Sequence, residues 1–152
     1  MLPVPTRFTL TAGTGDAERK LVAFDRALLN AGIGNLNLLK VSSILPPRCT
    51  FMERLIIPPG SLTPVAYGTI TSEEADATIA AAVAVGVVEN TYGVIMEYSG
   101  YGTAQEAERV VTEMLHEALS TRGLTPQRVL SKGIDHRVRQ VGCALAAVVL
   151  WY

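Results

Sequence analysis

The chain ends in ten residues without a charge, "CALAAVVLWY" (143–152). A strand with one face in water alternates apolar and polar residues, whereas a strand apolar at every position needs cover on both faces. Such an ending commits the chain to a layered architecture. A second run, "ATIAAAVAVGVV" (77–88), pulls two ways, since its alanines favour helix while its β-branched residues and Gly86 favour strand. We read it as strand. With 152 residues, 49% of them hydrophobic and 18% charged, there is room for one sizeable core in one domain. The positive mean hydropathy predicts that further apolar surface is buried between subunits.

The remaining elements follow from pattern and punctuation. "TRFTLTAG" (6–13) alternates and runs into Gly13 and Gly15, which predicts a first strand ending there. Asp16 then suits the N-cap of a helix over about 17–31, with an apolar stripe of Leu21, Phe24, Ala27 and Leu28 and a stop near Gly32. "IGNLNLLKVSSIL" (33–45) reads as one strand, broken by Pro46-Pro47, with a turn-rich loop as far as Gly60. "LTPVAYGTITS" (62–72) and "TYGVIMEYSG" (91–100) read as strands. "TAQEAERVVTEMLHEALSTRG" (103–123) is a helix with Thr103 as N-cap and Gly123 just past its end. Two strands, about 127–139 and 142–151, complete an α+β order with more strands than helices.

Several function classes are excluded at this level. A net charge of −1, no basic cluster and 6% aromatics offer neither a phosphate-binding surface nor a stacking platform, so no nucleic-acid partner is expected. "MLPVPTRFTL" lacks a charged leader before a long apolar run, and no apolar stretch spans a bilayer. A cytoplasmic protein without a membrane partner is expected. Cys49 and Cys143 make neither a disulfide framework nor a metal site, and no phosphate loop or metal motif is present.

One stretch resists a purely structural account. In "NLLKVSSILPP" (37–47) Ser42 and Ser43 sit side by side in what reads as a buried strand, where unpartnered hydroxyls are costly. Serines also end strands by bonding local backbone groups, and two prolines follow, so termination is the plain alternative. There is no GxSxG elbow, and neither His116 nor His136 is tied to the pair by a motif, which argues against a serine hydrolase.

"FDRALLNAGIGNLNLLKVSSILPP", "PVAYG", "GVIMEYSG" and the ending "GCALAAVVLWY" together resemble the pyruvoyl-dependent arginine decarboxylases, in the family's order and over nearly the whole chain. The resemblance implies an αββα sandwich with mixed and antiparallel sheets, assembled as a trimer or hexamer with active sites between subunits. It also implies self-processing. The Ser43 hydroxyl attacks the Ser42 carbonyl, and the peptide bond becomes an ester. Elimination then leaves a dehydroalanine at 43, which hydrolyses to a pyruvoyl group with loss of ammonia. A strained, tightly held turn favours that attack. The products are a β chain, 1–42, and an α chain, 43–152. The pyruvoyl carbonyl replaces pyridoxal phosphate as electrophile, and no metal is required. The implied reaction converts L-arginine to agmatine and carbon dioxide, a step towards polyamines.

Three polar residues take roles from the same resemblance. Glu97 alternates with Ile95 on one strand face, with Met96 and Tyr98 on the other. By pattern it is either an edge glutamate facing water or a carboxyl in apolar surroundings with a raised pKa; the family match makes it the proton donor. Asp25 borders the helix stripe with no basic residue three or four positions away. Its carboxylate fits a guanidinium, with Leu21 and Leu28 beside the substrate's methylenes, although a solvated aspartate reads the same. The family's guanidinium-binding aspartate falls at this position. Asn37 matches an active-site asparagine, yet six residues of extended chain put it roughly 20 Å from Ser43, so one site for both requires a neighbouring subunit or a sharp bend. Leu36 and the Ser42 carboxylate made by cleavage are further substrate contacts, and Asn35 suits a structural turn near Gly34. Cys49 reads as incidental and Cys143 as core. The same machinery acting on another amino acid, such as histidine or ornithine, or an uncleaved non-catalytic oligomeric scaffold, are the alternatives.

Overall fold

The computed structural model describes all 152 residues. Its elements are β1 (Arg7–Ala17), α1 (Lys20–Asn30), β2 (Asn37–Lys40), β3 (Ile44–Leu45), β4 (Thr50–Phe51) and β5 (Leu62–Ser72). They continue with β6 (Thr78–Val87), β7 (Gly93–Tyr101), α2 (Ala104–Thr121), β8 (Arg128–Arg137) and β9 (Val141–Trp151). Five strands form one sheet in the order β2-β5-β9-β1-β4, and four form a second, β3-β7-β6-β8. Only the edge pairs β1–β4 and β2–β5 are parallel.

The sheets pack face to face, with Ala66, Ala144, Ala146 and Val148 of the first against Ile79, Ala81, Val83, Val85 and Ile95 of the second. α1 covers the outer face of the first sheet, setting Ala23 and Ala27 against Cys143, Leu145, Ala147 and Val149. α2 covers the outer face of the second through Ala107, Val111, Leu115 and Leu119. β9 and β6 are thus sealed on both faces, as their unbroken apolarity demands. The result is an αββα sandwich. Thr103 caps α2 by accepting from the Glu106 N–H at 3.2 Å, and Gly123 takes the left-handed conformation, φ +66°, just past its end. No helix is long and apolar enough to cross a membrane.

Three local expectations fail, each for a physical reason. β1 continues through Gly13 and Gly15 to Ala17; these glycines are where α1 crosses the strand. A Cβ at Gly13 would lie 2.3 Å from the Ala27 carbonyl oxygen, and one at Gly15 2.3 Å from that of Ala23. Asp16 caps no helix. α1 starts at Lys20 with Arg19 as an N-cap that makes no side-chain bond. The Asp16 carboxylate instead accepts from His136 Nε2 at 2.8 Å and from the backbone N–H groups of Arg139 and Gln140, each at 2.9 Å. It fastens the end of β1 to the β8–β9 turn. Leu21 is 76% exposed, and the buried stripe of α1 is Ala23 and Ala27, with Phe24 and Leu28 half-buried.

Burial by itself raises the Asp16 pKa, but the bonds from His136, Arg139 and Gln140 outweigh it and hold the carboxyl below its usual range. A depressed carboxylate contributes stability that is present above its unfolded pKa and lost as pH falls through its folded one. Asp16→Ala is therefore expected to cost about 2 kcal/mol in urea unfolding at neutral pH. The gap from wild type should narrow as the comparison is taken to pH values below the ordinary aspartate pKa of about 3.9.

Candidate active site

The serine pair does not lie inside a strand. β2 runs parallel to β5, and the Val41 N–H still donates to the Val65 carbonyl at 3.0 Å. The chain then leaves the first sheet and enters the second as β3, pairing Ile44 with Val94 and Leu45 with Gly93 on β7. Residues 41–43 are thus the crossing between sheets, and the expected single strand over 33–45 is two short ones. Its apolar content is continuous because both halves contribute to a core, but the cores belong to different sheets. Ser42 is exposed, Ser43 is half-buried, and neither hydroxyl is hydrogen-bonded within the chain. The Ser43 carbonyl is held by the Ile95 N–H at 2.7 Å. Carrying the β3–β7 register one step further sets Ser43 opposite Ile95, on the inward face shared by Leu45.

Glu97 lies two residues along β7 from Ile95, opposite Val83 of β6. The alternation read from "GVIMEYSG" holds: Ile95 enters the core between the sheets, while Met96 and Tyr98 pack on the α2 side. β3 pairs with β7 only as far as Val94, with the Ser43 carbonyl on the Ile95 N–H beyond it, so Glu97 stands just past the end of that ladder and is half-buried rather than bare to water. Its Oε2 is the one buried side-chain oxygen or nitrogen in the protein without a hydrogen-bond partner. Gly68 of β5 makes the room, since a Cβ there would lie 3.2 Å from the Glu97 Cβ. Burial raises the pKa of Glu97, and the positive charge of Lys40 partly offsets the rise. The register makes Ser43 and Glu97 diagonal neighbours across β3–β7, a relation that sets residues about 7–8 Å apart, within reach of a long side chain. A small molecule attached at position 43 would have this carboxyl beside it.

The other expected residues are not gathered into the same place within one chain. Asp25 is exposed on α1 and joins no ion pair, and α1 lies outside the first sheet, whereas Ser43 and Glu97 face its inner side. Leu28 is half-buried near Tyr67, and Leu21 is bare. Asn37 is exposed, and its Nδ2 donates to the Gly60 carbonyl at 3.0 Å, closing the loop that begins at Pro58. That turn-fixing role was expected of Asn35, which contributes its backbone carbonyl to the Gly60 N–H instead. Leu36 lines a cavity of about 470 Å³ beneath residues 53–57, together with Thr11, Ile33 and Ile57; the serines and Glu97 do not line it. Cys49 is buried with its thiol pushed up to about 11, so it carries no reactive thiolate.

Two contributors escaped the sequence reading. Gly68 looks like an ordinary strand glycine, and only the close approach of Glu97 gives it a purpose. Lys40 looks like a solvated strand end, yet its Nζ sits 4.6 Å from the centroid of the Tyr67 ring, which also packs on Phe24. Its position two residues before the serine pair was the available signal.

The family model for pyruvoyl-dependent arginine decarboxylase matches residues 7–152. A protein of Methanocaldococcus jannaschii named pyruvoyl-dependent arginine decarboxylase is 43% identical over 151 residues, covering 98% of this chain and 92% of the relative. One of the same name from Methanococcus maripaludis is 44% identical over 150 residues, covering 97% and 92%. Another, from Thermococcus kodakarensis, is 40% identical over 150 residues, covering 97% and 96%.

A carboxyl whose pKa is raised on folding leaves stability intact below its unfolded pKa and erodes it as pH rises through the folded one. Glu97→Gln removes that penalty while keeping the shape. The variant is expected to match wild type in urea unfolding at about pH 4 and to exceed it at alkaline pH. Equal stability across the range would mean that the carboxyl is solvated.

Proposed function

This chain belongs to the pyruvoyl-dependent arginine decarboxylase family, and we propose that it cuts itself between Ser42 and Ser43 and then decarboxylates L-arginine to agmatine. The observation that carries this reading is the pairing of a half-buried Glu97, whose enclosed Oε2 has no partner, with a Ser43 whose carbonyl is bound by Ile95 two residues away on the strand of Glu97. The residues present fit the implied group. Ser43 has a free hydroxyl next to the exposed Ser42 in a segment that belongs to neither sheet, and the space beside it is apolar except for one acid. A pyruvoyl carbonyl at position 43 supplies the electron sink that lets carbon dioxide leave an α-amino acid.

The rest is the work of the chain's own side chains. Burial favours the protonated form of Glu97, which is the form a donor needs, and the recipient is the α-carbon that the carboxylate has left. The Ile95 N–H keeps its hold on the residue 43 carbonyl through the cut, which fixes the end of the α chain against β7. The apolar walls from β6 and β9 exclude water from the reacting carbon. Asp25 takes the guanidinium in a two-pronged contact, Leu21 and Leu28 flank the methylenes, and Asn37, Leu36 and the new Ser42 carboxylate complete the contacts.

The reading includes a second copy of the chain at each site, in a trimer or a pair of trimers. In support, Asp25 and Leu21 are open to solvent and separated from Ser43 by the first sheet, and Leu39, Ile44 and Leu62 are exposed around the crossing. Cytoplasmic residence belongs to the same reading, and two free, buried cysteines accord with a reducing compartment. The net charge of −1 offers nothing to a nucleic acid.

Intact mass spectrometry of the purified protein is expected to give two fragments, 1–42 and 43–152. The larger should react with a carbonyl reagent and resist amine reagents. The fragments should coelute without denaturant, because β1 is bonded to β9 over eleven residue pairs from Arg7↔Trp151 to Ala17↔Val141. A single full-length chain after prolonged warm incubation would overturn the reading.

In the cut enzyme, Asp25→Ala should lose about 1.5–3 kcal/mol of substrate binding, a roughly ten- to hundredfold rise in KM for arginine. Glu97→Gln should instead lower kcat by roughly 10²–10⁴ with little effect on KM. A KM effect from both would assign Glu97 to binding.

A further inference from the structure

Glu97 and Lys40 reach one dipeptide of β5 from opposite directions. Glu97 comes from the second sheet and presses its Cβ towards Gly68; Lys40 comes from the end of β2 and lays its ammonium over the adjacent Tyr67 ring. β2 stops at Lys40 while β5 runs on to Ser72, so beyond that point Tyr67 and Gly68 form the sheet edge. There the two side chains share a boundary with no strand between them. Lys40 joins none of the protein's ion pairs, although carboxylates are common on its surface. The groups set against Glu97 by pairing and close approach, Val83 of β6 and Gly68 of β5, are uncharged, as are Ile95 and Ser99 on the same face of its own strand and Ser43 across the extended β3–β7 register.

A donor in this setting faces a difficulty after it acts. Once Glu97 releases its proton it becomes a buried anion without a hydrogen bond to Oε2, a state that drives the proton back. A nearby cation relieves it, and the positive charge of Lys40 draws the Glu97 pKa down against the effect of burial. We propose that Lys40, held on the Tyr67 ring, is a positioning residue whose ammonium receives the negative charge that Glu97 acquires when its proton passes to the substrate carbon. The ring faces Lys40 with its negative quadrupole and holds the flexible stem beside the residue that adjoins Gly68, without a salt bridge between ammonium and carboxyl. The proposal rests on the reading of Glu97 as proton donor.

The test follows the infrared band of the protonated Glu97 carboxyl, identified by its loss in Glu97→Gln, through a pH titration of the purified full-length protein as it processes itself. Lys40→Met is expected to move the midpoint to higher pH, Lys40→Arg to leave it in place, and Tyr67→Leu to move it in the same direction by less. The alkaline limb of the kcat profile should follow the midpoint in each variant. A midpoint unmoved by Lys40→Met overturns the proposal, as does a variant that raises only KM for arginine, which would assign the ammonium to the substrate carboxylate. If wild type stays uncut and inactive while the midpoint still moves, the decarboxylase reading fails and the charge coupling stands. If the enzyme is active and the midpoint is fixed, Lys40 alone is dismissed.

Discussion

Two strands that are apolar on every face dictate the rest of this molecule. β9 and β6 each need cover above and below, and one sheet packed on one helix layer covers only one face of its strands. Stacking the sheets on each other and adding a helix outside each buries both strands with four layers. The contact must be close on the α1 side, since Gly13 and Gly15 leave no volume between helix backbone and strand. A helix that close uses alanines rather than leucines as its buried stripe. Its larger and charged residues, Leu21 and Asp25 among them, are left outward-facing and free for another surface.

The stacking also makes the backbone change sheets, and it does so for the first time between β2 and β3. Between Lys40 and Ile44 the chain gives up one ladder and takes up another, and the residues in transit have incomplete pairing. Small polar residues suit such a passage, because they neither demand a core nor clash during the turn. A reactive serine is least protected there, and its neighbour across the ladder is an inward-facing strand of the second sheet. The carboxyl at 97 is consequently near both the crossing and the core. Its cost in stability is the ordinary cost of a buried acid without a partner.

Much of the architecture is legible because period and punctuation agree. β5, β7 and α2 show alternation or helical spacing with matching end signals, and the apolarity of β6 and β9 states their burial on both sides. The misread parts share one cause: a residue type with two structural uses. Gly13 and Gly15 end strands in most sequences and here admit a helix. Asp16 has the composition of a cap and instead gathers His136 and two backbone donors from a turn about 120 residues away, which no local window contains. The strand over 33–45 is apolar throughout because both halves reach a core, and nothing in the pattern marks which sheet each half joins. Glu97 was readable as inward-facing from Ile95, Met96 and Tyr98. Lys40 was not, since its partner is a ring on another strand.

The position of the crossing bears on what a cut there would do to the fold. Every regular element of residues 1–42 belongs to the first sheet or its covering helix, and the second sheet begins with β3. The peptide between Ser42 and Ser43 is therefore the first covalent link between the layers. Breaking it removes a link without removing a strand from either sheet. The long antiparallel ladder of β1 with β9 is untouched, and so are the Asp16 bonds to the β8–β9 turn, which tie the same segment to the second sheet at the far end. A break inside β5 or β9 would divide a ladder and expose apolar faces. At 42–43 it frees two short ends, one held by the Ile95 N–H and one exposed, so backbone scission here divides neither ladder.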